Sequence, residues 1–147
     1  MMNNSWKPYS KEIEKLAKKS NIVKKKQVII KRSYPERALQ LALMLWFRKR
    51  YPEFRRYLVH FAAERKISPM AGAMLKALGM RSGVSDLILF VPRNGLGALM
   101  IELKKPGGKL TDLQTEWMMD MLEIGYAATW TDNLEKAKQI IEDYLRD

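Results

Sequence analysis

The pattern of apolar and polar positions predicts eight elements of secondary structure after residue 34. Helical spacing of apolar residues predicts α-helices over residues 35–50, 69–78, 112–123 and 133–145. Short apolar runs between turn residues predict β-strands over residues 57–62, 87–91, 97–104 and 126–131. The order α-β-α-β-β-α-β-α predicts an α/β fold, in which a mixed sheet is flanked by helices.

Turn and capping residues indicate how these elements connect. Asn94-Gly95 lies between two apolar runs and predicts a β-hairpin formed by the second and third strands. Thr111 is placed to cap the third helix. Gly79 and Gly125 follow helices, where glycine commonly ends the helical conformation.

The helix over residues 35–50 is unusually apolar. Its middle, ALQLALMLWF, carries hydrophobic side chains on nearly every side. A helix of this kind is buried in a core or covered by a partner subunit, so this pattern gives some support for a dimer.

Charge divides the chain into two parts. The 147 residues carry a net charge of +11. Residues 1–35 contain ten Lys or Arg and two Glu, a balance of +8, whereas residues 36–147 balance at +3. We therefore expect residues 1–33 to form a basic N-terminal arm, partly disordered or a short helix, ahead of a domain over residues 34–147. Such an arm is typical of a protein that binds nucleic acid, although a solubilising tail has the same composition.

Composition narrows the possible chemistry. The chain has no cysteine and a single histidine, His60, which excludes disulfides, thiolate metal sites and histidine-rich metal sites. A bound metal ion would need oxygen ligands, and these favour Mg²⁺ or Mn²⁺. No apolar run is long enough to span a membrane, and the N-terminus lacks the apolar stretch of a signal peptide, so we expect a cytoplasmic protein.

Two carboxylates and a lysine are expected to meet at one end of the hairpin. Glu102 and Lys104 lie two residues apart on a strand and project from the same face. Hairpin pairing brings Asp86, at the start of the second strand, beside the end of the third. The two carboxylates and the backbone carbonyl of Leu103 could bind a divalent cation, and Lys104 could orient the attacking water. On spacing alone, an ordinary surface ion pair is the simpler explanation.

An ordered set of short motifs resembles the VRR-NUC family of PD-(D/E)xK nucleases. The motifs are LKALG at residues 75–79, GVSDL at 83–87, IELK at 101–104, LTDLQ at 110–114 and EIGYA at 123–127. Their order and spacing are similar to those of the family's small stand-alone phage and bacterial members. The resemblance covers residues 36–145 and implies that the domain is a VRR-NUC-like nuclease with a restriction-endonuclease-like mixed sheet.

The resemblance also implies roles for five residues. Asp86 and Glu102 would be metal ligands, and Lys104 would be the catalytic lysine. Gln114, on the helix that follows, would support the active site. Glu36, on the first helix, would complete the acidic cluster.

Three positions carry an alternative or a departure. Glu36 lies three residues after Ser33, so it could close a capping box at the start of the first helix. Gln114 lies three residues after Thr111 and could do the same. Ser85 departs from the family pattern, which usually has proline before the first acidic residue, and this departure would permit a domain that binds DNA without cleaving it.

Other polar residues near the motifs are candidate substrate contacts. Five basic residues could hold phosphate groups: Arg65, Lys66, Arg81, Lys105 and Lys109. A solvated loop is the alternative for each of them. His60 could be a general base or a substrate contact, although a lone histidine in an apolar strand is more often a satisfied core residue.

Together, the residues and the resemblance predict a nuclease that hydrolyses DNA phosphodiester bonds with Mg²⁺ or Mn²⁺ and needs no small-molecule cofactor. The resemblance further implies a homodimer that acts on branched DNA, including four-way junctions. Two alternatives remain open at this point, which are a non-catalytic DNA-binding module on the same fold and an RNA-directed nuclease.

Overall fold

The structure is a computed structural model that describes residues 35–61 and 68–146. The helices are α1 (Pro35–Arg50), α2 (Pro69–Ala77), α3 (Asp112–Glu123) and α4 (Leu134–Leu145). The strands are β1 (Leu58–His60), β2 (Leu87–Leu89), β3 (Leu99–Leu103) and β4 (Ala127–Thr131). The predicted basic arm, together with Arg65 and Lys66, lies outside the described residues.

The four strands form one mixed sheet in the order β1-β2-β3-β4. The first two neighbouring pairs are antiparallel, and β4 runs parallel to β3 after the α3 crossover. The predicted element order and the α/β class are therefore confirmed. Helix bounds agree with the prediction to within one residue, whereas the strands are shorter.

The hairpin between β2 and β3 explains why these strands are short. Asn94 and Gly95 both have positive φ, 52° and 79°, as a tight hairpin turn requires. The turn closes a small bridge between Arg93 and Leu96. Three residues separate Leu89 from Arg93, but only two separate Leu96 from Leu99, so the strands are out of register next to the bridge and regular pairing begins at Leu89 with Leu99.

The sheet buries side chains on both of its faces. On one face, α1 and α4 cover a core formed by alternate residues of β2 and β3 together with Phe47 and Ile141. On the other face, α3 contributes Trp117 and Met121 to a smaller cluster around Met100. The sheet is therefore a central layer, and the end of β3 lies between helices on both sides.

Helix α1 is less completely buried than its composition predicts. Leu43 and Phe47 are fully buried against the core, but Leu41 and Leu45 are 39% and 50% exposed. These four side chains lie on two sides of the helix. Helix α4 and the sheet cover only the side that carries Leu43 and Phe47. A second apolar side of α1 therefore faces outward.

Helix α2 has no buried residue, although most of its sequence is apolar. Met70 and Met74 are 84% and 61% exposed, and Leu78, just past the end of the helix, is 75% exposed. These three residues follow helical spacing of four and form one apolar stripe. Over the part of the chain that the structure describes, no helix is long and apolar enough to cross a membrane.

Candidate active site

The register of the hairpin brings Asp86 and Glu102 together. Leu87 pairs with Ile101, so the next residues outward, Asp86 and Glu102, are cross-strand neighbours. The Asp86 N–H donates to Oε2 of Glu102 at 3.2 Å, and the Leu103 N–H donates to Oδ2 of Asp86 at 2.8 Å. Each carboxylate is therefore held by the backbone of the opposite strand.

Lys104 and Gln114 converge on the other oxygen of Glu102. The Lys104 ammonium lies 2.8 Å from Oε1, and the Gln114 side-chain amide donates to the same atom. Glu102 is only 2% exposed. The predicted Glu102–Lys104 pair is thus part of a buried network, and it is not an isolated surface ion pair.

Gln114 both caps helix α3 and contacts the active-site carboxylate, the two roles suggested by its position. Its Oε1 accepts from the Thr111 N–H at 3.0 Å, and its own N–H donates to Oγ1 of Thr111, which completes a capping box at the start of α3. The Nε2 end of the same amide reaches Glu102. Capping therefore fixes the side-chain orientation that places a donor beside the carboxylate.

Glu36 connects the first turn of α1 to the end of β3. Its Oε1 accepts a hydrogen bond from the Lys105 N–H at 3.0 Å. Its negative charge is close enough to contribute to raising the pKa of Asp86. Ser33, its suggested capping partner, lies outside the described residues.

Burial raises the pKa values of both carboxyl groups. For Glu102, desolvation is the largest cause and brings the pKa to about 7, against the lowering effect of its hydrogen bond with Lys104. For Asp86, desolvation again raises the pKa, while the Leu103 N–H and the Lys104 charge oppose it. The Lys104 ammonium does not offset the desolvation of the two carboxyl groups, and a bound cation would favour their ionised forms.

The donor set suits a hard divalent cation. Asp86 and Glu102 supply oxygen atoms, and Mg²⁺ commonly binds one or two carboxylates while water and substrate phosphate complete its coordination. Within residues 35–61 and 68–146, no group of three or more His, Cys, Asp or Glu side chains could hold an ion by itself. The residues present therefore fit an ion that takes two ligands from the protein carboxylates and its remaining ligands from water and substrate.

Comparison with known proteins identifies the family. The family model for the VRR-NUC domain matches residues 22–130, which is most of the chain. The chain belongs to the VRR-NUC family. This family of nucleases is part of the PD-(D/E)xK superfamily, as the sequence motifs predicted.

A solved structure supports the same assignment at the level of the fold. The chain is similar to a "VRR_NUC domain protein", with 26% sequence identity and a TM-score of 0.65. The match covers 75% of this chain and 87% of the other. Among curated proteins, no significant match was found.

The segment before Asp86 differs from the usual VRR-NUC pattern at Ser85. This serine is fully buried, and within the described ranges its hydroxyl has no hydrogen-bond partner. Gly83, two residues earlier, has a φ of +87° and lies against the backbone of Leu113 at the start of α3. The segment is therefore positioned by packing against α3, and the serine hydroxyl contributes no hydrogen bond to it.

His60 was predicted to be a core residue more readily than a substrate contact, and the core prediction is wrong. It is exposed at the end of the edge strand β1, and its Nδ1 lies 3.0 Å from the backbone carbonyl of Asp86. The Phe61 N–H donates to the same carbonyl at 2.9 Å. A histidine at the exposed end of a short edge strand is not a core residue, and strand length was the information that the sequence pattern lacked.

A cleft of about 640 Å³ opens beside the two carboxylates. Its lining includes Asp86, Glu102 and Gln114, with His60 and Phe61 from β1. Helix α1 supplies the rest of one wall through a row of residues at helical spacing: Glu36, Arg37, Gln40, Leu41, Met44 and Arg48. Sequence reasoning missed this row, because periodicity alone does not tell which side of a helix faces a cleft.

The structure places three of the predicted phosphate contacts outside this cleft lining. Arg81, Lys105 and Lys109 are exposed on loops close in sequence to the site residues. The loop after β3 is itself anchored, since the Gly107 N–H donates to Asp132 at 2.9 Å. A role for these residues would therefore require a substrate that extends beyond the cleft.

Proposed function

We propose that this VRR-NUC protein hydrolyses phosphodiester bonds in DNA with the help of Mg²⁺ or Mn²⁺. The observation that carries the proposal is the contact of Asp86, Glu102 and Lys104 at the end of one hairpin, in a desolvated site open to a cleft. Oxygen ligands for a metal ion, and a cation placed to stabilise developing negative charge, are groups that promote metal-dependent phosphodiester hydrolysis.

Asp86 and Glu102 would hold the ion, with the Leu103 carbonyl as a further oxygen ligand. When bound, such an ion neutralises phosphate charge and acidifies water. Lys104 would stabilise negative charge on the reacting phosphate or orient the attacking water, since its ammonium lies 2.8 Å from Glu102. Gln114 would keep Glu102 oriented, and Glu36 would hold the end of β3 against α1 through the Lys105 N–H.

The direct test is cleavage with Mn²⁺ or Mg²⁺ assayed in parallel on linear duplex, single strand, flap, four-way junction and RNA. We expect DNA to be cut and Lys104→Ala to reduce the rate by about 100-fold or more, as expected for removal of a transition-state contact. Lys136→Ala, which removes an exposed lysine from α4, is the control and should cut normally. Failure to cut any substrate would favour a binding module, and preferential cleavage of RNA would favour the RNA-directed alternative.

We further propose a homodimer that acts on branched DNA. Support for the dimer comes from the exposed apolar stripe of α2, formed by Met70, Met74 and Leu78, which a second copy of the chain would cover. Light scattering at micromolar concentration should give the dimer mass, and Met74→Glu should shift it to the monomer. Met119→Glu changes a methionine of similar exposure, 62%, on α3 and should leave the dimer intact.

A monomer mass for the parent protein would refute dimerisation. Cleavage of linear duplex as fast as a junction would refute the preference for branched DNA.

The basic segment over residues 1–33 is proposed to bind the phosphate backbone of DNA. Residues 1–35 carry a balance of +8, most of the net charge of the chain. Deleting the segment should weaken DNA binding broadly and flatten its salt dependence, because fewer counterions are released. An unchanged salt slope would contradict this role.

A further inference from the structure

The row of α1 residues that lines the cleft has a composition of its own. After Glu36, which bonds to the backbone beyond β3, the row begins with Arg37 and ends with Arg48, and Gln40, Leu41 and Met44 lie between the two arginines. Leu41 is 39% exposed although it is apolar. Two arginines separated by a largely apolar stretch match a ligand with phosphate groups at intervals and less polar surface between them.

The row has a defined direction with respect to the carboxylates. Glu36 bonds to the backbone just after β3, so the first turn of α1 lies at the Asp86–Glu102 end of the cleft. Arg48 is eleven residues beyond Arg37, which corresponds to about 17 Å along an α-helix. That length spans about five stacked nucleotides of one strand. Arg48 is therefore too far along α1 to contact the phosphate group next to Asp86 and Glu102.

The apolar middle of the row distinguishes single-stranded from duplex substrates. A duplex offers mainly sugar and phosphate to a cleft, because its bases are stacked and paired inside. Leu41, Met44 and the 40% exposed ring of Phe61 would gain little from that surface. An unpaired strand presents base faces, which apolar and aromatic side chains bind while cationic residues follow the backbone.

We propose that this face of α1, with Phe61, is a track for a single-stranded segment that leads from the reacting phosphate to Arg48. The inference rests on the proposed function, since it takes Asp86 and Glu102 as the cleavage point. Arg48 contacts a phosphate group several nucleotides from that point. Leu41, Met44 and Phe61 contact the bases or sugars between them.

Arg48 can be tested by fluorescence anisotropy in EDTA, with labelled oligothymidylates of about 4 and about 12 nucleotides and a blunt duplex as probes. For the longer strand, Arg48→Ala should weaken binding about 5-fold and reduce the slope of log K against log salt by about 0.7. The shorter strand should lose less than about 2-fold, since it does not reach Arg48. Lys49→Ala removes a charge from the same helical turn, outside the cleft lining, and should change neither quantity.

The apolar part of the track has its own matched pair of variants. Leu41→Ala should weaken binding of the longer strand about 3-fold without changing the salt slope, whereas binding of the duplex should be unaffected. Leu45→Ala changes an exposed leucine of α1 outside the cleft lining and should bind as the parent does.

Equal effects of Arg48→Ala and Lys49→Ala, or of Leu41→Ala and Leu45→Ala, would overturn the track. A shift of Leu41→Ala from dimer to monomer would assign this face to a subunit interface and would also overturn it. These results are distinguishable from failure of the proposed function. The proposed function fails if the parent protein does not cleave DNA, whether or not it binds the oligonucleotides, whereas a parent that cleaves and whose variants bind normally refutes the track alone.

Discussion

Replacing Glu102 with glutamine should change how the stability of the metal-free protein depends on pH. The folded protein holds the pKa of Glu102 at about 7, mainly because the carboxyl group is desolvated. In the unfolded chain the group returns to its ordinary value of 4.5. Between these values the folded state keeps a proton that the unfolded state has lost, so stability falls as pH rises through this window.

The magnitude follows from the difference between the two pKa values. At 1.36 kcal/mol per pH unit, the difference corresponds to about 3 kcal/mol between pH 4 and pH 8. Glu102 is 2% exposed, so solvent screening does not reduce this value much. Glutamine has nearly the same shape and does not titrate, so Glu102→Gln lacks this contribution. Asp86 also has a raised pKa, which leaves a smaller slope of the same sign in the variant.

Urea denaturation in EDTA at a series of pH values measures the effect. The informative quantity is the difference in unfolding free energy between variant and parent, because any effect of the substitution that does not depend on pH cancels in the pH dependence of this difference. This difference should grow by about 3 kcal/mol in favour of the variant from about pH 4 to about pH 8. A difference that stays constant within about 0.5 kcal/mol would refute the assignment of the desolvated charge to Glu102.

Three further substitutions test packing and hydrogen bonding at the site and at the opposite end of the hairpin. Gly83→Ala should lower the unfolding free energy by about 1–3 kcal/mol, because φ of Gly83 is positive and a Cβ would meet the Leu113 backbone. Gly79→Ala is the control, since Gly79 also has a positive φ but has open space around it, and it should lower the unfolding free energy by less. Ser85→Ala should be neutral or stabilise by about 1 kcal/mol, since it removes a buried hydroxyl without a partner in the described chain, and a clear loss of stability would contradict that assignment. Tyr144→Phe should cost about 1 kcal/mol by removing a buried hydrogen bond to a backbone carbonyl after β2, and unchanged thermal stability would show that this bond contributes nothing. Thermal unfolding measures all three.

The core of the candidate site could be predicted because it depends on local rules. The period of two on β3 puts Glu102 and Lys104 on one face, and the Asn94-Gly95 turn sets the pairing that brings Asp86 to them. The capping box of Gln114 follows from its spacing to a threonine. Each relation involves neighbours in sequence or the two strands of one hairpin, so no knowledge of tertiary packing was needed.

The remaining features depend on tertiary packing. The side of α1 that faces the cleft is decided by how α4 and the sheet cover the other side, and nothing in its own periodicity indicates this. His60 is exposed because β1 is a three-residue edge strand, whereas its apolar neighbours predicted burial. Gln114 makes two sets of bonds because the oxygen and nitrogen of one amide point in different directions, and spacing could identify only the first.

The hydrogen bond between Glu36 and Lys105 joins residues 69 positions apart, and the one between Gly107 and Asp132 spans a further 25. The end of β3 is therefore held in place by side chains from the first helix and from the turn that follows the last strand. During synthesis on the ribosome, Asp132 emerges long after Asp86 and Glu102, so the site cannot assemble fully on a partly made chain. Any cleavage activity that depends on this anchoring would accordingly arise only after residues 105–132 have left the ribosome and these two hydrogen bonds have formed.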